Sequence, residues 1–299
     1  MAIVFIFIDG VGCGPDSVNN PFSFTENLVI FNNCSIQARK SALPKDGTIT
    51  FIDANLDTPG IPQSATGQTS IYTGCNASKE IGYHRSGFPN QKLRDLIEKK
   101  SVFTRLKMAG KKPVFVNAYR PIFFEHGPEN LLRYLSVTSI QNWKAGCRFY
   151  SLEDLKNHRS IYHDFTNVEL IHKGFEVPLF SPVDAATILA SFMESHDFIL
   201  YEYFKTDKVG HSRNHTEAST LIVQLEALLL SLLKLIDLRS HTVVVTSDHG
   251  NIEDLSIKSH TRNPVPFIVW GYKKKFLTKD INSITEIRNL ILNYFNVNV

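Results

Sequence analysis

The 299-residue sequence predicts a three-layer α/β core, a mostly parallel sheet with helices on both faces and a small inserted lid. Three observations carry that expectation. Short apolar runs of strand length alternate with longer stretches of helical period, the pattern of linked βαβ units. Three runs are each followed by an aspartate: Asp9 after residues 3–8, Asp207 after 198–204, and Asp248 after Val243-Val244-Val245-Thr246-Ser247. One stretch, 119–180, breaks the alternation, being richer in turns, polar and aromatic residues.

In chain order, residues 3–8 are continuously apolar and stop at Asp9-Gly10, as a buried strand does. Prolines and glycines at 59–62 form a tight loop, and a helix from Ser64 to about Thr73 follows it. Helical periods cover 91–99 and 102–109, and a strand covers 114–117. Within the 119–180 insert a helix is expected over 128–135, opening on Pro128. Ser181-Pro182 is an N-cap with proline at the first helical position, starting a helix over 182–194. Strands at 198–204, 242–246 and 265–270 alternate with a helix over 215–238 and a last one over 284–294. Ser283 and Glu286 have the spacing of a capping box for that last helix. The expected organisation is a core of 1–118 and 181–299 with 119–180 as lid or small subdomain. No linker composition marks a true domain boundary.

Composition narrows the function. With 43% hydrophobic and 20% charged residues the chain is of ordinary globular type. A net charge of +3 with scattered lysines and arginines argues against a nucleic-acid surface. The opening apolar segment carries Asp9 and no basic leader, so a first strand is expected rather than a signal peptide, and the protein is expected in the cytoplasm. Gln224, Glu226, Lys234 and Asp237 interrupt the longest apolar helix, which is read as packed on the sheet and not in a membrane. Cys13, Cys34, Cys75 and Cys147 lack paired metal or redox spacing and are expected as reduced thiols.

Open α/β sheets bind ligands at the carboxyl ends of their strands. Asp9, Asp207, His211, Asp248, His249 and His260 all fall at such ends, and Ser64 falls at the start of a helix, where free N–H groups and the helix dipole favour a phosphate. Singly, each residue could be a turn, a cap or a surface group. Together, three aspartates, three histidines and a hydroxyl make a ligand set for two divalent ions joined by a nucleophile and its phosphate. Thr66 and Thr69 are rival nucleophiles, with Thr66 the runner-up to Ser64.

The order Asp9, Ser64, Asp207 with His211, Asp248 with His249, and His260 resembles the alkaline phosphatase superfamily, in its branch with cofactor-independent phosphoglycerate mutase and phosphopentomutase. The resemblance covers about 1–117 and 181–299. It implies that Asp9, Ser64, Asp248 and His249 hold one metal and Asp207, His211 and His260 the other. The ions are commonly manganese in the mutases and zinc in the phosphatases. It implies phosphoryl transfer on a small-molecule phosphate ester through phosphoserine, ending in hydrolysis or in transfer to a second hydroxyl. Gly67 is followed here by Gln68 where the mutases usually carry histidine, and the expected lid is shorter than their second domain. Asn117, Tyr119, Arg120 and Arg148 are candidate substrate contacts. The oligomeric state is left open.

Two rival readings accompany this one. A sulfatase would need cysteine or serine in a Cys/Ser-x-Pro-x-Arg context, which Ser64-Ala65-Thr66-Gly67-Gln68 does not provide. A metal-stabilised binding protein with lapsed catalysis would keep the ligands and turn over no phosphoester.

Overall fold

The computed structural model describes residues 1–36 and 42–298; residues 37–41 and Val299, which fall within the expected core, lie outside the described residues. Six strands form the main sheet: β1 (Ile3–Ile8), β2 (Thr48–Ile52), β3 (Pro113–Phe115), β4 (Phe198–Tyr203), β5 (Thr242–Thr246) and β6 (Val265–Gly271). Their order is β2-β6-β5-β1-β4-β3. The pairs β5–β1, β1–β4 and β4–β3 are parallel, while β6 runs antiparallel to both β5 and β2. The expected mostly parallel α/β core is therefore observed.

Alternation along the strands builds the two helical layers. Val4, Ile6 and Ile8 of β1 face one side, where they share a core with Ala185, Ile188 and Leu189 of α6 (Pro182–Ser191) and with the leucine face of α8 (His215–Leu235). Ile3, Phe5 and Phe7 face the other. There the sheet meets α1 (Ser64–Thr73), α2 (Gln91–Lys100), α3 (Val102–Met108), α5 (Val137–Lys144) and α9 (Ile287–Tyr294). Both faces of β1 are buried, which is why its sequence is continuously apolar rather than alternating. Among described residues α8 is the one helix long and apolar enough to cross a membrane, and Leu221, Leu225, Leu228, Leu229 and Leu232 on it are buried in this core.

The structure differs from expectation at several places. β2 was not anticipated: it is a five-residue edge strand whose first four residues are only half-buried. The helix expected over 128–135 is replaced by α4 (Pro121–Asn130), which breaks at Gly127, and by a single turn at Leu132–Tyr134. Pro121, not Pro128, supplies the proline at the helix start, and the helix breaks at Gly127, whose ψ of 155° is outside the α region as the following proline requires and whose φ of 74° is open to it because glycine has no Cβ. The end of the helix expected over 284–294 is as read, but its first turn, Ile284–Glu286, is 3-10, and Ser283 caps by accepting from Thr285 N. Within 119–180, Val137 and Ile140 of α5 lie in one core layer and Phe165 and Leu170 in the other, all fully buried. That stretch thus contributes to both core layers, and its residues between Tyr119 and Ser139, with Tyr162 and His163, also line the cavity beside the strand ends.

Candidate metal centre

Topology brings the aspartates together. β5, β1 and β4 are adjacent and parallel, so their carboxyl ends share one edge. Asp9 directly follows β1, Asp248 follows β5 after one residue, and Asp207 lies in the first turn of α7 (Lys205–Ser212), which follows β4. On α7 His211 is one turn beyond Asp207 and on the same side. His260 returns to the site because Gly250 and Thr261 pair across the loop that carries it.

The carboxylate and imidazole ligands form two groups, Asp9 with Asp248 and His249, and Asp207 with His211 and His260, each with ligand atoms within 4.8 Å of one another. In the first, His249 Nε2 lies 3.3 Å from Asp9 Oδ1 and 3.6 Å from Asp248 Oδ2. In the second, His260 Nε2 lies 3.3 Å from Asp207 Oδ1 and 3.1 Å from His211 Nε2. The His249 and His260 rings stack at 3.8 Å, which joins the two groups. Each histidine turns Nδ1 to a backbone carbonyl: Gly250 for His249, Lys258 for His211 and Pro62 for His260. With Nδ1–H donated in this way, Nε2 presents its lone pair to the centre.

Several features fit these residues to cations. Asp248 and His249 are fully buried, and Asp9 is nearly so. Asp9 Oδ1 and Asp248 Oδ2 are buried with no hydrogen-bond partner, a costly arrangement that a divalent ion would relieve. Burial alone would lower the His249 imidazole, yet Asp248, Asp9 and Asp207 around it carry it up to about 10. Burial and the neighbouring Asp9 hold the Asp248 carboxyl well above the usual range. Protons and divalent cations compete for this excess negative charge. Mixed oxygen and nitrogen donors suit ions such as manganese and zinc.

Ser64 is the first residue of α1, whose N-cap is Gln63, so Ser64 is not the cap that its position in the sequence allowed. Its Oγ lies 3.0 Å from His249 Nε2. Thr66 and Thr69 are turned away: their hydroxyls donate to the Gln63 and Ala65 carbonyls at 3.0 and 2.6 Å. Gly67 explains how the helix comes so close, since a Cβ there would stand 2.7 Å from the Asp248 carbonyl oxygen and 2.8 Å from its Cβ. Gln68 Nε2 donates to Asp9 Oδ2 at 3.3 Å.

The candidate substrate contacts divide. Asn117, Tyr119 and Arg120 line a cavity of about 930 Å³ that also touches Asp9, Ser64, Asp207, His211 and His260. Asn117 is tied to the Glu202 backbone, accepting from its N–H at 3.0 Å and donating to its carbonyl at 2.8 Å. The Tyr119 hydroxyl is bonded to Ser139 at 2.6 Å, and burial pushes its phenol well up. Arg148 is a correction: it does not line this cavity, because Asp154 holds its guanidinium at 2.6 Å and it lies over the Tyr150 ring.

Three further polar residues carry no motif that sequence reading could use. Asn251 donates to Asp207 Oδ1 at 2.6 Å and orients it. Glu202, in the cavity wall, accepts from Thr138 at 2.5 Å, and burial pushes its carboxyl up to about 8. Glu253, 1% exposed, ties the ligand loops together. Its carboxylate accepts from Gly12 N at 2.9 Å, Asn251 N at 2.8 Å, Asn263 Nδ2 at 3.1 Å and the Thr261 hydroxyl. A Cβ on Gly12 would overlap that carboxylate. Glu253→Ala is expected to lower the unfolding free energy by about 2–4 kcal/mol, because four donors lose a buried anionic acceptor. Urea denaturation measures this, and a loss under about 1 kcal/mol would remove Glu253 from the frame of the centre.

Residues 165–299 match the family model described as Metalloenzyme superfamily. A 2,3-bisphosphoglycerate-independent phosphoglycerate mutase of Ehrlichia ruminantium (strain Gardel) is 31% identical over 112 residues, 35% of this chain and 22% of that protein. That of Malacoplasma penetrans (strain HF-2) is 32% identical over 129 residues, 41% of this chain and 25% of that protein. The match thus spans about a quarter or less of these curated relatives. Among solved structures, alkaline phosphatase from the Antarctic bacterium TAB5 superposes with a TM-score of 0.61 at 16% identity, covering 100% of this chain and 99% of that one. The PH0037 protein from Pyrococcus horikoshii gives 0.57 at 12% identity, covering 99% and 97%. At such identities these structures share the fold.

Proposed function

We propose that this chain is a metalloenzyme of the alkaline phosphatase superfamily that transfers a phosphoryl group from a small-molecule phosphate ester through Ser64, a reading supported by its match to the Metalloenzyme superfamily over residues 165–299, its similarity to the mutases and its fold. The observation that carries the reading is the place of the Ser64 hydroxyl, 3.0 Å from His249 Nε2, at a helix start and on the cavity wall. Two divalent ions, manganese or zinc, would be held by Asp9, Ser64, Asp248 and His249 and by Asp207, His211 and His260, and when bound they supply charge neutralisation for phosphate and serine oxygens.

The residues account for the remaining chemistry. Ser64 loses its proton to solvent and its oxygen bonds to phosphorus, while the bond from phosphorus to the ester oxygen breaks and the departing alkoxide takes a proton from water. Of the N–H groups in the first turn of α1, that of Thr66 donates to the Arg85 carbonyl at 3.4 Å, and those of Ser64 and Ala65 would serve the transferred phosphoryl oxygens. Water then attacks the phosphoserine, releasing phosphate and restoring the hydroxyl. In a mutase a second hydroxyl of the substrate would take that role. Gln68 on Asp9 and the scarcity of cations in the cavity wall, where Arg120 and Lys208 are the lysine and arginine side chains, support hydrolysis over phosphoglycerate isomerisation. Residues 119–180, which supply Tyr119, Ile122, Phe123, Tyr134 and Tyr162 to the cavity wall, act in this reading as the lid.

Protein loaded with manganese or zinc should release phosphate from members of a panel of phosphate monoesters, diesters, sugar phosphates and phosphoglycerates, and chelation should stop it. Two bound ions with no turnover of any ester would leave a metal-stabilised binding protein instead.

A further inference from the structure

We propose that the ester handled at Ser64 carries a bulky aromatic hydrocarbon group, seated in the apolar part of the cavity; this rests on the phosphoryl-transfer reading above. The cavity of about 930 Å³ runs from Ser64, His211 and His260 to a wall of Phe88, Phe115, Tyr119, Ile122, Phe123 and Tyr134. Its size is that of a site for a drug-sized organic molecule, and a phosphate on a three-carbon acid would fill only a small part. The rings form tilted and edge-on pairs, the geometries by which aromatic groups take a further ring. Tyr119 and Phe123 lie 4.2 Å apart at 38°, Phe115 meets Tyr119 edge-on at 6.3 Å, and Phe88 meets Tyr134 edge-on at 6.2 Å.

Two more features point the same way. Ile122 and Tyr134 remain 51% and 69% exposed at the mouth, apolar surface that an entering ring would cover. The hydroxyl and amide groups between these rings and the metal centre are bonded to one another. Tyr119, Ser139 and Ser136 are bonded in series, Thr138 is bonded to Glu202, and Asn117 is bonded to the Glu202 backbone. A sugar or a nucleobase set against these groups would find them already committed, its open partners lying elsewhere on the lining at Arg120, Lys208 and His163 Nδ1.

The test uses metal-loaded protein and primary alkyl phosphates of similar leaving-group basicity: ethyl, 2-phenylethyl and 2-(2-naphthyl)ethyl phosphate, with glycerol 3-phosphate, octyl phosphate and adenosine monophosphate beside them. From ethyl to naphthylethyl, kcat/KM should rise by about 100-fold, mostly through KM, as expected for burying one large apolar group. Ile122→Ser and Tyr134→Ser should each reduce that preference by about 10-fold. Turnover that is flat across the series overturns the inference and leaves phosphoryl transfer standing. Octyl phosphate or adenosine monophosphate ahead of the naphthyl ester overturns the aromatic assignment. Should no ester be turned over, the phosphoryl-transfer reading fails, and calorimetry with ethylphosphonate and 2-(2-naphthyl)ethylphosphonate decides the cavity separately: tighter binding of the naphthyl compound supports it, and equal or absent binding overturns it.

Discussion

Ser64→Ala is expected to lower turnover by about 10⁴-fold or more while the protein stays folded and keeps its metal ions. The size of the loss follows from the absence of a substitute. Thr66 and Thr69 are the nearby hydroxyls on α1, and both are committed to carbonyls of the preceding turn on the inner side of the helix. Stability should change by no more than about 0.5 kcal/mol, since Ser64 is not the helix cap and alanine suits the first turn. Ion content should hold because each group retains its three carboxylate and imidazole ligands. Steady-state rates and elemental analysis measure the two halves of the expectation. Acid quenching of wild type during turnover, followed by peptide mapping, should find phosphate on Ser64. Phosphate on Thr66 would move the nucleophile by one half-turn. Undiminished activity in Ser64→Ala, Thr66→Ala and Thr69→Ala alike would remove the covalent route.

The legible part of the molecule is the part where local sequence and chemistry coincide. A strand buried on both faces must be apolar throughout, so β1 and β5 stand out, and the polar residue that ends each of them is conspicuous by contrast. Asp9, Asp248 and His249 could therefore be found, and parallel topology then brings them to one edge without further information. β2 escaped because a half-buried edge strand of alternating threonine and apolar residues gives a weak, short signal. Proline gave the wrong helix start at 128 because Pro121 and Pro128 are equally good openers until tertiary packing chooses between them. Glu253, Asn251 and Glu202 acquire their roles only through partners far away in the chain, such as Gly12 and Thr138. The cavity wall is likewise drawn from separate segments around Phe88, Phe115 and Tyr134, with no period to read. Arg148 shows the converse error, a charged residue of the right type whose charge is spent on Asp154.

Removing the metal ions should be the most destabilising treatment short of denaturant. Asp248 and His249 are fully buried and Asp9 nearly so, and among the described residues Asp9 Oδ1 and Asp248 Oδ2 have no hydrogen bond, with His249 Nε2 3.3 and 3.6 Å away. An ion present at about 1,000 times its Kd contributes about 4 kcal/mol. For two sites, at about 2–4 °C per kcal/mol for a chain of this size class, chelation should lower Tm by about 15 °C or more. Calorimetric melts with chelator, with manganese and with zinc measure this, and elemental analysis should return two ions per chain. Variants separate the sites. Asp248→Asn, which keeps the shape and removes the charge, should empty the buried site, while His211→Ala should empty the one whose histidine is open to the cavity. Each variant should then retain one ion and about half of the chelator-sensitive shift in Tm. A stoichiometry of one in wild type, or melts that ignore chelator and added metal, would mean that these buried carboxylates are held by protons alone and that the two-ion centre must be given up.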